Sequence, residues 1–418
     1  MSAPDRTPIR QARLVMVSAE NNNKFYHMTD QGDGTFVAEY GRVGATPAVR
    51  QYDAAQWDKK YREKVRKGYR DVSALTAEGD APPPLDVDCP AVRALVEQLV
   101  RYAERSVEAH YLVASESVTG AMVDEAQAAL DAAVRAAESA DAAAVNASLL
   151  ALYQTIPRRM ANVRDHLCPT GAPVLDADEA QRALERLSGE QATLDVLAGE
   201  VAARRGRAES PTVRTLADVL GAEVSLETDE GVIAQIRERM GEEAGRFRRA
   251  FRVTNPRTEA AFEAQMQQAK GRGRSRSKTE LLWHGSRNEN WRSILRAGLV
   301  LRPANAVISG KMFGYGLYFA QRFQKSLGYT SARWGSTQTG FLALYEVHLG
   351  RQLRIDQWES WCSALTADHI RSHGRLRRAY DSVHGRAGCS LRNDEFIVYD
   401  EAQCTVRYLV EVGPNAAA

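Results

Sequence analysis

The sequence predicts a multidomain α+β protein, built from a small β-rich module, an all-α bundle and a mixed α/β module. Three observations carry that expectation. The hydrophobic pattern changes character twice along the 418 residues, from alternation to helical repeats and then to a mixture of both. A triple proline, Pro82–Pro84, and an arginine-rich stretch from Arg204 to Pro211 fall at the two changes. The charge balance shifts at the same places. Residues 1–80 hold 13 Lys/Arg and 11 Asp/Glu, residues 81–205 hold 11 and 19 with no lysine, and residues 206–418 hold 31 and 23. The expected domains are 1–80, 86–205 and 215–418, with an acidic middle able to dock on basic neighbours.

In the first module, Arg13–Val17, Lys24–Thr29 and Thr35–Tyr40 read as strands, with a hairpin turn at Gln31–Gly34. A helix follows from Ala54 to about Lys67. Lys59, Lys60, Arg62, Lys64, Arg66, Lys67 and Arg70 crowd it, with Glu63 opposing. Such a cluster suits phosphate backbones. A solvated helix face is the plain alternative.

In the second module Val92, Leu95, Val96, Leu99 and Ala103 recur at helical spacing, as do Val123, Ala126, Leu130, Ala133 and Val134. Leu149–Ile156 continues the pattern up to Pro157, and Asp178–Ala203 reads as a last long helix. A helical bundle without a catalytic constellation is expected, its His110 and His166 structural.

The third module mixes strands at Leu281–Trp283, Phe341–Leu349, Phe396–Tyr399 and Thr405–Val412 with a basic loop, Ala269–Lys278, expected to be exposed. No G-x-G-x-x-G follows a strand, because Gly314 and Gly316 are followed by Phe319, so a Rossmann nucleotide site is not supported. His284 ends a strand ahead of a glycine, so the backbone there can approach a ligand closely. Glu395 opens an apolar strand beside Asp394, a setting for a functional carboxylate. Either residue alone reads more readily as a surface histidine or a strand-edge acid.

Several classes are excluded. No apolar run reaches the roughly 20 residues of a membrane span. Met1–Arg13 carries arginines without an apolar core, so no secretory signal is expected. Cys89, Cys168, Cys362, Cys389 and Cys404 are scattered without ligand spacing, which argues against disulfide frameworks and zinc modules, and no metal is expected.

Four ordered motifs narrow the function. Leu-Leu-Trp-His-Gly-Ser-Arg at 281–287, Gly-Lys-Met-Phe-Gly-Tyr-Gly-Leu-Tyr-Phe-Ala at 310–320, Lys325-Ser326 with Tyr329, and Asn-Asp-Glu-Phe-Ile-Val-Tyr-Asp at 393–400 closely resemble the catalytic domain of poly(ADP-ribose) polymerases, over about residues 215–412. The first module resembles the WGR domain of the DNA-dependent members through Lys24-Phe-Tyr, Tyr40-Gly-Arg-Val-Gly44 and Lys67-Gly-Tyr69, with Tyr40 in place of the tryptophan. The middle resembles their helical regulatory domain at Tyr153-Gln-Thr-Ile-Pro157.

The resemblance implies a mixed α/β ADP-ribosyltransferase domain with a non-Rossmann NAD site, in which NAD is a consumed substrate. It places a His-Tyr-Glu triad on His284, Tyr318 and Glu395. The Gly285 backbone and the Ser326 hydroxyl would grip the nicotinamide carboxamide, with Tyr329 and Tyr318 stacking on the ring. His284, with Ser286 and Asn290 nearby, would hold the adenine-side ribose. Glu395 would stabilise the positive charge that grows on the other ribose as nicotinamide leaves. Tyr40, Arg42, Lys59, Lys60, Lys64 and Lys67 would face DNA ends or nicks. Lys311, where polymerising members often carry an aromatic residue, Val300 in place of an arginine, and a short Ser382–Val383–His384–Gly385 remnant depart from the pattern. The expected function is DNA-break-activated poly(ADP-ribose) formation on protein acceptors, the chain itself included, with release of nicotinamide. Alternatives are mono-ADP-ribosylation of proteins or nucleic-acid ends, and a DNA-end binder with a vestigial catalytic domain. A monomer is expected, cytoplasmic or nucleoid-associated in a bacterium and nuclear in a eukaryote.

Overall fold

A computed structural model describes residues 10–43, 45–71, 73, 85–112, 118–169, 174–205, 215–273, 276–301, 312–314, 316–333, 338–372, 378–388 and 390–415. The Pro82–Pro84 and Arg207–Pro211 breaks, Gly44, Lys311, Tyr315 and Cys389 lie outside the described residues. Two compact units emerge. One comprises residues 1–81 and 104–201, the other 82–103 and 202–418.

In the first unit, β1 (Gln11–Ser18), β2 (Asn22–Asp30), β3 (Thr35–Arg42), β4 (Ala48–Asp53) and β5 (Arg70–Asp71) form an antiparallel sheet in the order β4-β3-β2-β1-β5. Alternation puts Leu14, Tyr26, Met28, Phe36 and Ala38 on one buried face. The helix α1 (Trp57–Arg66) closes that face by driving Trp57 edge-on against Phe36, with ring centroids 5.1 Å apart. The hairpin turn forms where Gly32 and Gly34 supply positive φ, at 72° and 86°. Strand β4 has no counterpart in the sequence reading. It is an edge strand with Ala48, Val49, Arg50 and Gln51 exposed, so it shows none of the alternation that marks a half-buried strand.

The helices follow the apolar repeats. They are α2 (Pro90–His110), α3 (Gly120–Glu138), α4 (Ala142–Thr155) and α5 (Ala177–Arg205). Thr119 and Asp141 cap α3 and α4 by accepting from Met122 N and Ala144 N. Small residues such as Ala126, Ala133 and Ala137 let α3 approach its neighbours closely.

The turn after α4 ties the helices to the sheet. Asn23, fully buried, donates through Nδ2 to the Met160 carbonyl at 2.6 Å. Arg42 donates to the Ala161 carbonyl at 3.1 Å, and the Val163 N–H donates to the Asn21 side chain at 2.9 Å. Behind this turn lies a buried ion pair, Arg158–Glu190 at 2.8 Å, to which Tyr153 adds a hydrogen bond of 3.2 Å. Breaking one partner of such a pair costs about 3–5 kcal/mol.

The second unit holds two sheets. β6 (Glu223–Leu226), β7 (Phe247–Thr254), β14 (Cys404–Val412), β10 (Gly340–His348) and β8 (Thr279–Gly285) run in that order, antiparallel throughout. β11 (Gln352–Ile355), β12 (Ser382–Gly385), β13 (Glu395–Val398) and β9 (Leu317–Phe319) form the other sheet, with β11 and β12 parallel. Trp283 and Ala320 exchange backbone hydrogen bonds of 2.8 and 3.0 Å, joining β8 to the end of β9. Val92, Leu95, Val96 and Leu99, from the first half of α2, enter the same core as Phe251, Leu282, Phe341 and Phe396. The 269–278 stretch differs from expectation. The helix α6 (Pro256–Gly271) covers its start, and Arg276 is buried against Asp381 at 2.9 Å with a bond to the Ala379 carbonyl. Arg274 lies outside the described residues.

Candidate active site

The site grows from the place where β8 meets β9. A Cβ at Gly285 would overlap the Ser326 carbonyl oxygen, so a glycine there is what allows the β8 terminus to touch the helix Phe323–Leu327. That contact brings the Gly285 backbone beside Ser326, a residue that is 4% exposed and whose hydroxyl donates to the Trp283 carbonyl at 3.1 Å. The two groups assigned to a carboxamide grip are thus adjacent.

His284 is held by its surroundings rather than by its strand alone. Its Nδ1 lies 3.0 Å from the Tyr318 carbonyl, and Trp291, Phe319 and Tyr345 surround the ring at centroid distances of 6.5, 5.8 and 5.9 Å. Asn290 donates to the Ser286 hydroxyl at 3.0 Å, so those two residues also stand together.

Tyr318 and Glu395 come from neighbouring strands, since β9 pairs Tyr318 with Ile397 and β13 begins at Glu395. With a period of two, Tyr318, Ile397 and Glu395 share one face of the sheet. The Tyr318 hydroxyl accepts from Phe313 N and donates to the Gly314 carbonyl, each at 3.1 Å. Burial pushes its pKa up; the Phe313 N–H opposes that rise, while the nearby Glu395 and Tyr329 add to it. Glu395 is buried and forms an ion pair with Lys325. Tyr329 is 63% exposed, an open aromatic face at the edge of this group.

Asp394 does not join Glu395. It bonds to His384 at 2.7 Å and to the Ala387 N–H at 2.7 Å, and the His384 ring stacks on Phe396 at 4.5 Å. His384 pairs with Phe396 while Gly385 pairs with Glu395, so the His384–Asp394 pair lies on the other face of the sheet. Burial raises the Asp394 pKa, but the Ala387 N–H and His384 outweigh it and hold the carboxyl below its ordinary value. One carboxylate of the two therefore shares the Tyr318 face of the sheet.

Two positioning features were not visible in the sequence. Lys325 stands in one of the four motifs, but its pairing with Glu395 emerges only in the fold. Tyr399 donates to the Phe313 carbonyl at 2.6 Å, so the turn that receives Tyr318 is gripped from two sides.

The residues assigned to DNA are arranged differently. Lys64 is half-buried in an aromatic cage, 4.0 Å from the Tyr26 ring centroid, 5.5 Å from Tyr69 and 5.9 Å from Tyr40. Burial and the neighbouring Lys67 lower its pKa. Tyr40 stacks on Tyr26 at 5.4 Å. Arg42 is spent on Asn21 and Ala161. Lys60 lies over Tyr52 and 3.6 Å from Glu63, which also holds Lys67 at 2.7 Å. Lys59 is exposed.

Residues 232–413 match a family model described as the poly(ADP-ribose) polymerase catalytic domain. The chain is 37% identical over 136 residues to a poly(ADP-ribose) polymerase-like protein of Invertebrate iridescent virus 6, covering 32% of this chain and 71% of that protein. It is 36% identical over 155 residues to poly(ADP-ribose) polymerase 2 of Homo sapiens, covering 32% of this chain and 26% of the relative. Over 153 residues it is 33% identical to poly(ADP-ribose) polymerase 2 of Zea mays, covering 23% of that protein.

Proposed function

The chain belongs to the poly(ADP-ribose) polymerase family and is an NAD-dependent ADP-ribosyltransferase, and from that premise we propose that it is a DNA-break-activated enzyme building poly(ADP-ribose) on protein acceptors, itself included. The observation that carries the reading is the convergence of Tyr318, Tyr329 and the Lys325–Glu395 pair beside the Gly285–Ser326 contact.

In this reading the nicotinamide carboxamide sits against the Gly285 backbone and Ser326, with the ring between Tyr318 and Tyr329. His284, Ser286 and Asn290 hold the adenine-side ribose. As the glycosidic C–N bond breaks, the electron pair leaves with nicotinamide and positive charge grows on the ribose. Glu395 bonds to that ribose and stabilises the charged state more than the ground state, which is what lowers the barrier. The acceptor hydroxyl then forms the new C–O bond and passes its proton to solvent water. Lys325 fixes the carboxylate in place before substrate arrives, so little reorganisation accompanies the reaction.

For control, we take the first module as the DNA reader and the acidic helices as the restraint it releases. The Asn23, Arg42 and Asn21 contacts to the turn at 160–163 support this, because they give a DNA-induced change in the first module a direct route into the helices. The restraint is relieved only if DNA binds the released state better than the restrained one.

The experiment is nicotinamide release by the wild type and Glu395→Gln, measured beside NAD affinity. The variant is expected to lose at least about 100-fold in kcat while NAD affinity changes by less than about threefold. No release by the wild type, or near-normal release by the variant, contradicts the reading.

A further inference from the structure

A cavity that the proposed reaction does not use lies between the first turns of α6, the helix Trp291–Ala297 and the strands β10 and β14. It measures about 90 Å³. Its deep lining is buried and apolar, with Leu295, Leu299 and Val406 among it, while Arg257, Ala261 and Glu401 are exposed at its rim.

Most polar groups around it are committed within the chain. Asn255 donates to the carbonyls of Leu295 and Arg296 at 2.6 and 3.1 Å, and Thr405 donates to Glu259 at 3.2 Å. The Cys404 thiol is turned to the Glu401 carbonyl at 3.7 Å. Tyr345 is different. It lines the cavity, is 2% exposed, and its hydroxyl has no hydrogen-bond partner among the described residues. A buried hydroxyl in that state forfeits the bond it makes in water, a penalty that a ligand's acceptor atom removes.

Tyr345 also reaches the candidate active site. Its ring stands edge-on to His284, with centroids 5.9 Å apart, and leans on Phe319 at 5.6 Å. One side chain therefore borders the cavity and touches His284.

The lining chemistry narrows the occupant. Arg257 and Glu401 carry opposite signs at the rim, so the cavity favours neither a cation nor an anion. The buried walls call for an apolar body, and the Tyr345 hydroxyl offers one proton. A ligand hydroxyl would bring a second proton where the acceptors are already taken, whereas a carbonyl oxygen brings none. A sealed cavity of about 150 Å³ admits benzene, so this smaller one, open at its rim, takes a body of about five carbons.

We propose that this cavity binds a small uncharged carbonyl compound, whose oxygen accepts from the Tyr345 hydroxyl, and that its occupation is felt at His284. The coupling rests on His284 being an NAD contact, as in the reading above; the binding site itself does not.

The test titrates the full-length protein, without NAD, with cyclopentanone and with cyclopentane, the hydrocarbon of the same ring. Binding is followed through the methyl resonances of Ile294, Leu299 and Val406 in the wild type, Tyr345→Phe and Ala261→Trp. The wild type should bind cyclopentanone saturably and about tenfold more tightly than cyclopentane, the scale of one hydrogen bond. Tyr345→Phe sheds an unpaired hydroxyl, so it should melt no lower than wild type and bind the two compounds within about threefold of each other. Ala261→Trp, changed only at the exposed rim, should bind neither.

No saturable shift in the wild type, equal wild-type affinity for the two compounds, an undiminished preference in Tyr345→Phe, or normal binding by Ala261→Trp each overturns the site. With cyclopentanone at saturation the packing behind His284 is stiffened, so NAD should bind about fivefold more tightly to the wild type and unchanged to Ala261→Trp. Unaltered NAD affinity in the wild type overturns the coupling. A protein that binds the ketone but no NAD contradicts the functional reading above and leaves this site standing.

Discussion

The cluster around Glu395 and the basic face of α1 both gather charged and aromatic side chains, but they commit them differently. Around Glu395, packing brings the candidate groups together. Gly285 admits Ser326, Tyr318 is gripped by the 313–314 backbone, and Lys325 holds Glu395. On the first module, much of the charge is satisfied internally. Lys64 is enclosed by tyrosines, Glu63 takes Lys60 and Lys67, and Arg42 is bonded to the turn after α4. A dense run of cations is thus weaker evidence for a nucleic-acid face than a few residues held by close backbone contacts are for an active site.

The largest effect expected on this comparison is at Gly285. Gly285→Ala must push the Ser326 backbone away, costing about 1–3 kcal/mol of stability and displacing both groups proposed to grip the carboxamide. Thermal unfolding and NAD titration should both shift; a variant with normal NAD affinity would detach the close approach from substrate binding. Next is His284→Ala, which removes a contact made before the reaction, so KM for NAD should rise about tenfold along with a loss in kcat. A purely kcat effect would place His284 on the transition state alone.

On the other region, Arg42→Ala should cut the stimulation of turnover by broken DNA about fivefold, the scale of a modest coupling energy. Equal stimulation in variant and wild type would remove Arg42 from the coupling. The smallest effects separate the lysines. Lys59→Ala and Lys67→Ala should each flatten the salt dependence of DNA binding by at most about one unit of slope. Lys64→Ala should leave that slope alone and instead lower the melting temperature of the first module, since its ammonium fills an aromatic cage. A slope change in Lys64→Ala would return that lysine to the DNA face.

What the sequence revealed followed from its physics. Helices α2 to α5 were legible because their apolar residues repeat at helical spacing, and β10 and β14 because they are long and apolar. His284, Tyr318 and Glu395 were picked out through four motifs rich in glycine and aromatics, residue types that close packing demands, and the fold brings Tyr318 and Glu395 onto one face of a sheet. The pairing of Lys325 with Glu395, the turning away of Asp394 and the setting of Tyr345 against His284 were not legible. Each depends on which strands become neighbours, and no local pattern encodes that. Arg276 shows the same limit: its spacing with Gly and Ser reads as a solvated loop, while Asp381, more than a hundred residues later in the chain, supplies the partner that buries it.

Incubating the full-length protein with labelled NAD, with and without broken DNA, tests the central claim most directly. The account predicts a ladder of products on the protein when DNA is present and only trace labelling without it. A single shifted band insensitive to DNA would identify a mono-transferase and contradict both polymer formation and the DNA-released restraint; no labelling at all would leave only a DNA-end binder.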